Sequence, residues 1–193
     1  SKEQTVSWED VDGSIQGPLH PYITGHHNHD NMMTAVAIGR YFNVTKEHCS
    51  QAIAEYNPTN NRSQWRQTEH NLVLIDAYNA NPSSMSTTLE HFAQAADNTD
   101  QNSICIIGDM AELGDFGSEA HDRILKLALD LNLIVWTVGP LFQQAAAHCD
   151  VQVKSFADTS QATTALKELA LKNHRILLKG SRSIALEQLV DCL

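Results

Sequence analysis

The chain has 193 residues, of which 42% are hydrophobic, and a formal net charge of −10 at pH 7. This length is enough for one complete domain and part of a second. The negative charge argues against nucleic acid or an anionic membrane surface as the main partner, and no apolar run approaches the ~18 residues of a membrane span.

The cysteines and the amino-terminal residues indicate the compartment. The four cysteines are scattered without a C-x-x-C pair, which is typical of a protein in a reducing cytosol. The beginning, SKEQTVSWED, lacks the basic and then apolar pattern of a signal peptide. We therefore expect a soluble cytoplasmic protein without membrane insertion. Because its first residue is Ser and not Met, the sequence also hints at a longer parent chain.

The first 60 residues contain two predicted helices after an extended stretch. Apolar periodicity predicts one helix over residues 28–42, with Tyr41 among its buried positions, and Thr45 is predicted to cap the second. Two helices and one or two strands are too few to enclose a core. We therefore interpret residues 1–60 as the incomplete end of a preceding domain, with a turn-rich linker at 57–64.

Strand and helix patterns alternate over residues 61–193. Short runs of branched apolar residues predict buried strands at 72–75, 104–108, 133–139 and 176–180. Helical periodicities lie between these strands. The alternation predicts a doubly wound α/β domain, with a mostly parallel sheet and helices on both faces.

Polar residues crowd the turn after the first of these strands, in the sequence 74-LIDAYNANPSSM-85. Asp76 lies at the carboxyl end of the strand, and Asn81–Pro82 is typical of a helix cap followed by the first helical residue. Other predicted strands are followed by polar turns at 108–114, 139–140 and 179–183. Because the carboxyl ends of parallel strands share one edge, where helix amino termini also converge, we expect a ligand crevice there.

The side chains expected to face this crevice are acids, amides, a hydroxyl and two cations. They are Asp76, Asn79, Asn81, Asp109, Glu112, Lys179, Ser181 and Arg182. Such a mixture suits a zwitterionic ligand, whose carboxylate pairs with cations and whose ammonium group pairs with acids. The alternative is that these are ordinary polar turns with helix caps, because the loops of any α/β protein are polar.

Two other kinds of site have less support. The segment 25-GHHNHDN-31 is rich in histidine but lacks the spacing of a zinc site, so we expect a helix start there and no metal. Five other histidines are predicted to be surface residues: His70, His91, His121, His148 and His174. The sequence also contains no G-x-x-x-x-G-K-[ST] pattern, the P-loop that holds a triphosphate. We therefore do not expect this chain to turn over ATP unaided.

Four motifs together resemble the Mur ligase family. They are 76-DAYNANPSSM-85, 108-GDMAELG-114, 179-KGSRS-183 and the G-x-H-N-x-x-N pattern of residues 25–31. Their order matches over essentially the whole chain, and the sequence is most similar to members that add D-alanyl-D-alanine to UDP-MurNAc-tripeptide in peptidoglycan synthesis. The resemblance implies the end of a central ATPase domain followed by a complete C-terminal Rossmann-like domain.

The resemblance also implies ligands and residue roles. In the full-length enzyme, ATP with Mg²⁺ would phosphorylate the tripeptide carboxylate, and the dipeptide amine would attack the resulting acyl phosphate. Asn28 and Asn31 match asparagines near adenine. Arg62 matches a linker arginine near the nucleotide, and Asp76 matches an acid near the ribose. The other crevice residues match the region that receives the dipeptide. Loss of Asp76 is then expected to weaken ATP use and leave the fold sound.

The expected protein is a monomer whose partners are ATP, UDP-MurNAc-tripeptide and D-Ala-D-Ala. We expect no catalytic residue in this chain and no tightly bound cofactor. One alternative is a sibling ligase or folylpolyglutamate synthase-like enzyme that adds a single amino acid, although such relatives resemble Y-A-H-x-P where this chain has Y-N-A-N-P. The other alternative is a non-catalytic α/β module that binds a nucleotide or an amino acid.

Overall fold

A computed structural model of the chain describes residues 5–23, 26–57, 60–96, 102–149 and 151–193. The chain divides into two compact units, Ser1–Thr59 and Asn60–Leu193. Within the described residues, no helix combines the length and the apolar composition needed to cross a membrane.

The first unit consists of a two-stranded antiparallel sheet and two helices. Its elements are β1 (Val6–Glu9), β2 (Ile15–Leu19), α1 (His26–Tyr41) and α2 (Lys46–Glu55). Thr45 caps α2 as predicted, because its hydroxyl oxygen accepts a hydrogen bond from the His48 backbone N–H at 3.3 Å.

A small hydrophobic core lies within the first unit, so the prediction that this segment cannot enclose one was wrong. Its buried residues come from strand, loop and both helices, and are Val6, Trp8, Ile23, Met32, Val36, Cys49 and Ile53. Tyr41, predicted to be buried, is 80% exposed. It lies five positions after Val36, and a spacing of five places it on a different face of the helix from Met32 and Val36.

An ion pair fixes the hairpin of the first unit to helix α1. The Arg40 guanidinium donates to both carboxylate oxygens of Asp10, at 3.1 and 2.9 Å, and to the Val44 carbonyl at 2.6 Å. The hydrogen bond from Arg40 holds the pKa of Asp10 below its ordinary value. A two-point contact of this kind sets direction as well as distance, so Arg40 orients the hairpin.

The second unit is built on a six-stranded, mostly parallel sheet. Its strands are β3 (Gln64–Gln67), β4 (Leu72–Asp76), β5 (Asn102–Gly108), β6 (Ile134–Val138), β7 (Lys154–Phe156) and β8 (His174–Lys179). They lie in the order β3-β4-β8-β5-β6-β7. Strand β3 pairs antiparallel with β4, and the other neighbours pair parallel. The predicted Rossmann-like α/β fold is confirmed.

Helices cover both faces of this sheet. They are α3 (Pro82–Ala96), α4 (Gly117–Asp130), α5 (Pro140–Ala147) and α6 (Thr159–Leu169), with short 3-10 helices at Gly114–Phe116, Arg182–Ile184 and Leu186–Cys192. On β5, Cys105 and Ile107 pack with α3, α4 and α5, whereas Ile104 and Ile106 pack with α6 and the last 3-10 helix. The continuous apolar run of β5 therefore reflects burial on both faces.

Two strands of the sheet were not predicted, and both lie at its edges. Strand β3 has the sequence QWRQ and begins inside the predicted linker 57–64, of which Pro58 and Thr59 lie outside the described residues. Strand β7 has only three residues, KSF. Edge strands are short and partly exposed, so neither segment has the apolar run that identifies a buried strand.

The thiol of Cys105 gives a test of the core. Cys105 and Cys192 are free cysteines, and burial raises the pKa of the Cys105 thiol to about 12. A thiol with a raised pKa stays protonated in mild alkali, and only the thiolate is nucleophilic. We therefore expect iodoacetamide to leave Cys105 unmodified in the folded protein, and to modify it in urea. Peptide mass spectrometry measures the alkylation of Cys105 in the folded and the unfolded protein, with half-buried Cys192 for comparison. Equal alkylation of Cys105 and Cys192 in the folded protein would contradict the burial of Cys105.

Candidate functional site

The carboxyl ends of the parallel strands meet at one edge of the sheet, and hydrogen bonds join the turns that follow. Strand β4 ends at Asp76 and β8 ends at Lys179. In the next turns, the Ser181 N–H donates to the Asp109 carbonyl at 3.0 Å, and the Ala111 N–H donates to Ser181 Oγ at 2.6 Å. The turns after β5 and β8 therefore form one connected structure, in which Ser181 is buried.

Asp76 and Lys179 form a buried ion pair between adjacent strands. The Lys179 Nζ lies 2.5 Å from Asp76 Oδ2, and the two side chains are 2% and 15% exposed. These residues are register partners at the ends of β8 and β4, so their side chains leave the sheet on the same face. A buried ammonium group is costly without a counter-ion, and Asp76 supplies that counter-ion.

The Asp76 carboxylate accepts two further hydrogen bonds. Its Oδ1 accepts from the Ser63 backbone N–H at 3.2 Å, and its Oδ2 accepts from the Thr88 hydroxyl at 3.1 Å. Thr88 belongs to α3, and Ser63 directly precedes β3. Asp76 thus connects two strands, one helix and the segment that carries Arg62.

Arg62 lies between two residues with left-handed backbone. Asn61 and Ser63 have φ angles of 57° and 48°, a region that is unfavourable for residues other than Gly. The Asn61 carbonyl accepts from the Ala77 N–H at 2.9 Å, and the Ser63 N–H donates to Asp76. These two bonds hold the strained turn against the end of β4 and place Arg62 at this edge.

Two arginines share the aromatic ring of Tyr78. The Cζ atoms of Arg62 and Arg182 lie 3.9 and 5.5 Å from the ring centroid. Tyr78 is half-buried and both arginines are exposed. Among the residues that the structure describes, neither guanidinium takes part in an ion pair. This edge therefore presents two neighbouring cations.

Asp109 caps helix α5 from the end of the neighbouring strand. Its Oδ2 and Oδ1 accept from the backbone N–H groups of Leu141 and Phe142, both at 2.9 Å. Gly139, with φ 115°, leaves room for this contact, because a Cβ atom there would lie 2.4 Å from the Asp109 Cγ. The Asp109 side chain is 9% exposed. Its carboxylate thus serves the amino terminus of α5 and not the surface of the crevice.

His121 is fully buried, so the prediction that it is a surface residue was wrong. Its Nδ1 lies 2.6 Å from the Gly117 carbonyl, and its Nε2 accepts from the Met110 N–H at 2.9 Å. A carbonyl accepts and an N–H donates, so the ring is neutral with its proton on Nδ1. The sequence signal for its burial is its spacing, because His121 lies four residues from both Gly117 and Leu125 on the buried face of α4.

Four of the predicted crevice residues have exposed side chains at this edge: Asn79, Asn81, Glu112 and Arg182. The Asn79 Oδ1 accepts from the next backbone N–H at 2.8 Å. The Asn81 Oδ1 accepts from the Ser84 N–H at 2.9 Å, which confirms the predicted cap of α3. These four side chains, with Arg62, are the predicted site residues of the second unit most open to a ligand.

The two site residues predicted in the first unit lie on helix α1. Asn28 is half-buried, and Asn31, three positions later, is exposed. Gly25 of the same motif lies outside the described residues. Within the described part of the chain, no three His, Cys, Asp or Glu side chains are grouped to hold a metal ion.

Comparison with known proteins finds related sequences over most of the chain. The family model described as Mur ligase, glutamate ligase domain, matches residues 61–182. The UDP-N-acetylmuramoyl-tripeptide–D-alanyl-D-alanine ligase of Bacillus subtilis is 31% identical over 178 residues, which are 89% of this chain and 38% of that protein. The ligase of the same name from Treponema pallidum is 31% identical over 177 residues, again 89% of this chain and 38% of the relative.

A solved structure is similar as well. The crystal structure of MurF from Acinetobacter baumannii has a TM-score of 0.78 and 25% sequence identity, over 96% of this chain and 40% of that chain. The chain thus spans about 38% of the length of the curated relatives named above.

Replacement of Asp76 is expected to destabilise the fold, in contrast to the sound fold inferred from the resemblance. Asp76→Asn leaves the buried Lys179 ammonium without a counter-ion, which typically costs about 3–5 kcal/mol. Lys179→Met removes the cation and leaves Asp76 with the Ser63 and Thr88 donors, so its cost should be smaller. The double variant should therefore be more stable than Asp76→Asn alone.

Urea unfolding of the wild type, both single variants and the double variant gives the coupling energy of this pair. We expect the two single effects to be strongly non-additive. Additive effects, or an Asp76→Asn variant as stable as the wild type, would contradict the buried ion pair.

Proposed function

The chain belongs to the Mur ligase family, and we propose that it is the acceptor-binding part of an ATP-dependent ligase. The proposed reaction joins D-alanyl-D-alanine to a UDP-MurNAc-tripeptide through a new amide bond. Support comes from curated relatives that are named for this reaction and match 89% of this chain. Since the sequence contains no P-loop pattern, we assign triphosphate binding to another part of that enzyme.

The observation that carries this proposal is the joining of an acidic turn to a basic one. The Ala111 N–H donates to Ser181 Oγ, which brings the two turns together. Glu112 is the next residue after Ala111, Arg182 is the next residue after Ser181, and both side chains are exposed. We assign the dipeptide carboxylate to the Arg182 guanidinium, whose planar fork suits a carboxylate. The acidic Glu112 then faces the amino end of the same zwitterion.

The amides of Asn79 and Asn81 complete the proposed acceptor site. Both lie in the turn between β4 and α3, and both are exposed. An amide side chain offers donors and an acceptor, which match the peptide group between the two alanines. This role is compatible with the helix cap, since the Asn81 Oδ1 is occupied and its NH₂ group is a separate donor.

For the nucleotide we retain Arg62, Asn28 and Asn31 as proposed contacts. The exposed guanidinium of Arg62 suits a phosphate oxygen. The Asp76 carboxylate accepts hydrogen bonds at both oxygens, so we propose that it acts on the nucleotide by positioning Arg62. Lys179, Asp109 and Ser181 are likewise proposed to position the turns.

ATP supplies the phosphoryl group that activates the tripeptide carboxylate in this reaction. The described residues do not include a suitable group of three His, Cys, Asp or Glu side chains, so we assign neither a Mg²⁺ ligand nor a step through Mg²⁺ to this chain. We further propose that residues 1–60 end the central ATP-binding domain and that residues 61–193 form the C-terminal domain. The enzyme is proposed to work in the cytoplasm on small-molecule substrates.

Phosphate release tests the proposed function. The natural polypeptide that contains this sequence and the 193-residue chain are each given ATP, Mg²⁺ and UDP-MurNAc-tripeptide, with D-Ala-D-Ala or single amino acids as acceptor. We expect release from the natural polypeptide with the dipeptide and none from the shorter chain. Mass spectrometry of the product confirms the new amide bond.

The other outcomes separate the alternatives. Release with a single amino acid and not with the dipeptide would indicate a sibling ligase. Release by the 193-residue chain alone would contradict the assignment of triphosphate binding to another region. No release from either protein with any acceptor would favour a non-catalytic binding module.

A further inference from the structure

We propose that Tyr78 positions Arg62 and Arg182 as a single oxyanion-binding pair. The inference rests on the proposed function and deepens it: there Arg62 is assigned to the nucleotide and Arg182 to the acceptor, and here one anion of either ligand contacts both arginines. The structure brings both arginines to one ring. Tyr78 is therefore assigned as a positioning residue that acts through the two guanidinium groups.

The geometry of the ring limits the separation of the two cations. Their Cζ atoms lie 3.9 and 5.5 Å from the same centroid, so they are no farther apart than the sum of those distances. This sum is an upper limit, and the proposed pair requires both guanidinium groups on the same side of the ring. There, one anion with several oxygen atoms contacts both.

Rigid backbone supports all three side chains. Arg62 lies in the strained turn held by the Ala77 N–H and the Asp76 carboxylate. Tyr78 follows the end of β4 by two residues. Arg182 follows Ser181, which is buried and bonded to the turn after β5. Although the guanidinium groups are exposed, these hydrogen bonds hold the backbone from which the two arginine side chains extend.

The charges of this arrangement indicate its ligand. Two guanidinium groups near each other repel, and the negative face of an aromatic ring offsets part of that repulsion. The nearby cation Lys179 is neutralised by Asp76, and Arg40 in the other unit is paired with Asp10. Arg62 and Arg182 have no carboxylate partner among the described residues. An oxyanion would convert their repulsion into two attractive contacts.

The oxyanion has two possible sources, the phosphates of the nucleotide and the carboxylate of the dipeptide. Both present planar or tetrahedral oxygen groups that suit a guanidinium fork. A ring that restricts both arginines lowers the entropy lost on binding either anion. The aromatic face of Tyr78, and not its hydroxyl group, performs this role.

NMR of the arginine side chains tests the pair directly. The ¹⁵N-labelled chain is titrated with ADP and, separately, with D-Ala-D-Ala, each to millimolar concentration. We expect one of these ligands to shift the Nε–Hε signals of Arg62 and Arg182 along a common saturation curve. The ligand that does so identifies the source of the oxyanion.

Substitutions at Tyr78 separate the ring from the hydroxyl group. Tyr78→Phe keeps the aromatic face and should bind as the wild type does. Tyr78→Leu removes the face and should weaken binding roughly tenfold. Lys154→Ala is the control, because it removes a cation that lies 4.7 Å from another aromatic ring, that of Trp136. Lys154 belongs to β7, which is at the far end of the strand order from β3 and β4. This control should leave both arginine shifts and affinity unchanged, and urea midpoints confirm that each variant is folded.

The proposal is overturned if neither ligand shifts the arginine signals, if only one arginine responds, or if folded Tyr78→Leu binds as tightly as the wild type. Its failure is distinguishable from failure of the proposed function. Paired arginine shifts without any phosphate release from the natural polypeptide would preserve the oxyanion pair and reject the ligase reaction. Phosphate release without paired arginine shifts would support the ligase reaction and reject the oxyanion pair.

Discussion

The buried ammonium group of Lys179 imposes the constraint on which this edge of the sheet depends. Strand β8 lies between β4 and β5, so a lysine at its end is covered on all sides and requires a counter-ion. Asp76 is its register partner and meets that need. The same carboxylate then accepts hydrogen bonds from Thr88 and Ser63. One charge pair thereby fixes a helix and the turn that carries Arg62.

The turn motifs contain two kinds of residue that differ in burial. Asp109, Lys179 and Ser181 are buried and bonded to other parts of the fold. Glu112 and Arg182 are exposed, although each directly follows a residue of the hydrogen bond that joins the two turns. A motif match treats all of them alike, because it records identity and order. The structure separates the residues that build the edge from those open to a ligand.

Local patterns were sufficient for the fold class and for two of the helix caps. The apolar runs of β4, β5, β6 and β8 identify buried strands, and Thr45 and Asn81 cap the helices that follow them. What local patterns could not reveal are contacts between distant residues. Asp76 meets Lys179 across 103 positions, and Asp109 caps a helix 33 positions away. Exposed edge strands also lack a distinctive local signal, whereas the burial of His121 follows from its spacing on the buried face of α4.

A protein with a net charge of −10 repels anions at long range, so any oxyanion must be attracted locally. Lys179 contributes little to that attraction, because its charge is neutralised by Asp76. Arg62 and Arg182 are closer to solvent, and the ring of Tyr78 reduces the cost of bringing them together. Asp76 and Tyr78 are separated by a single residue at the end of β4. The same short segment therefore neutralises the buried cation and brings the two exposed cations together.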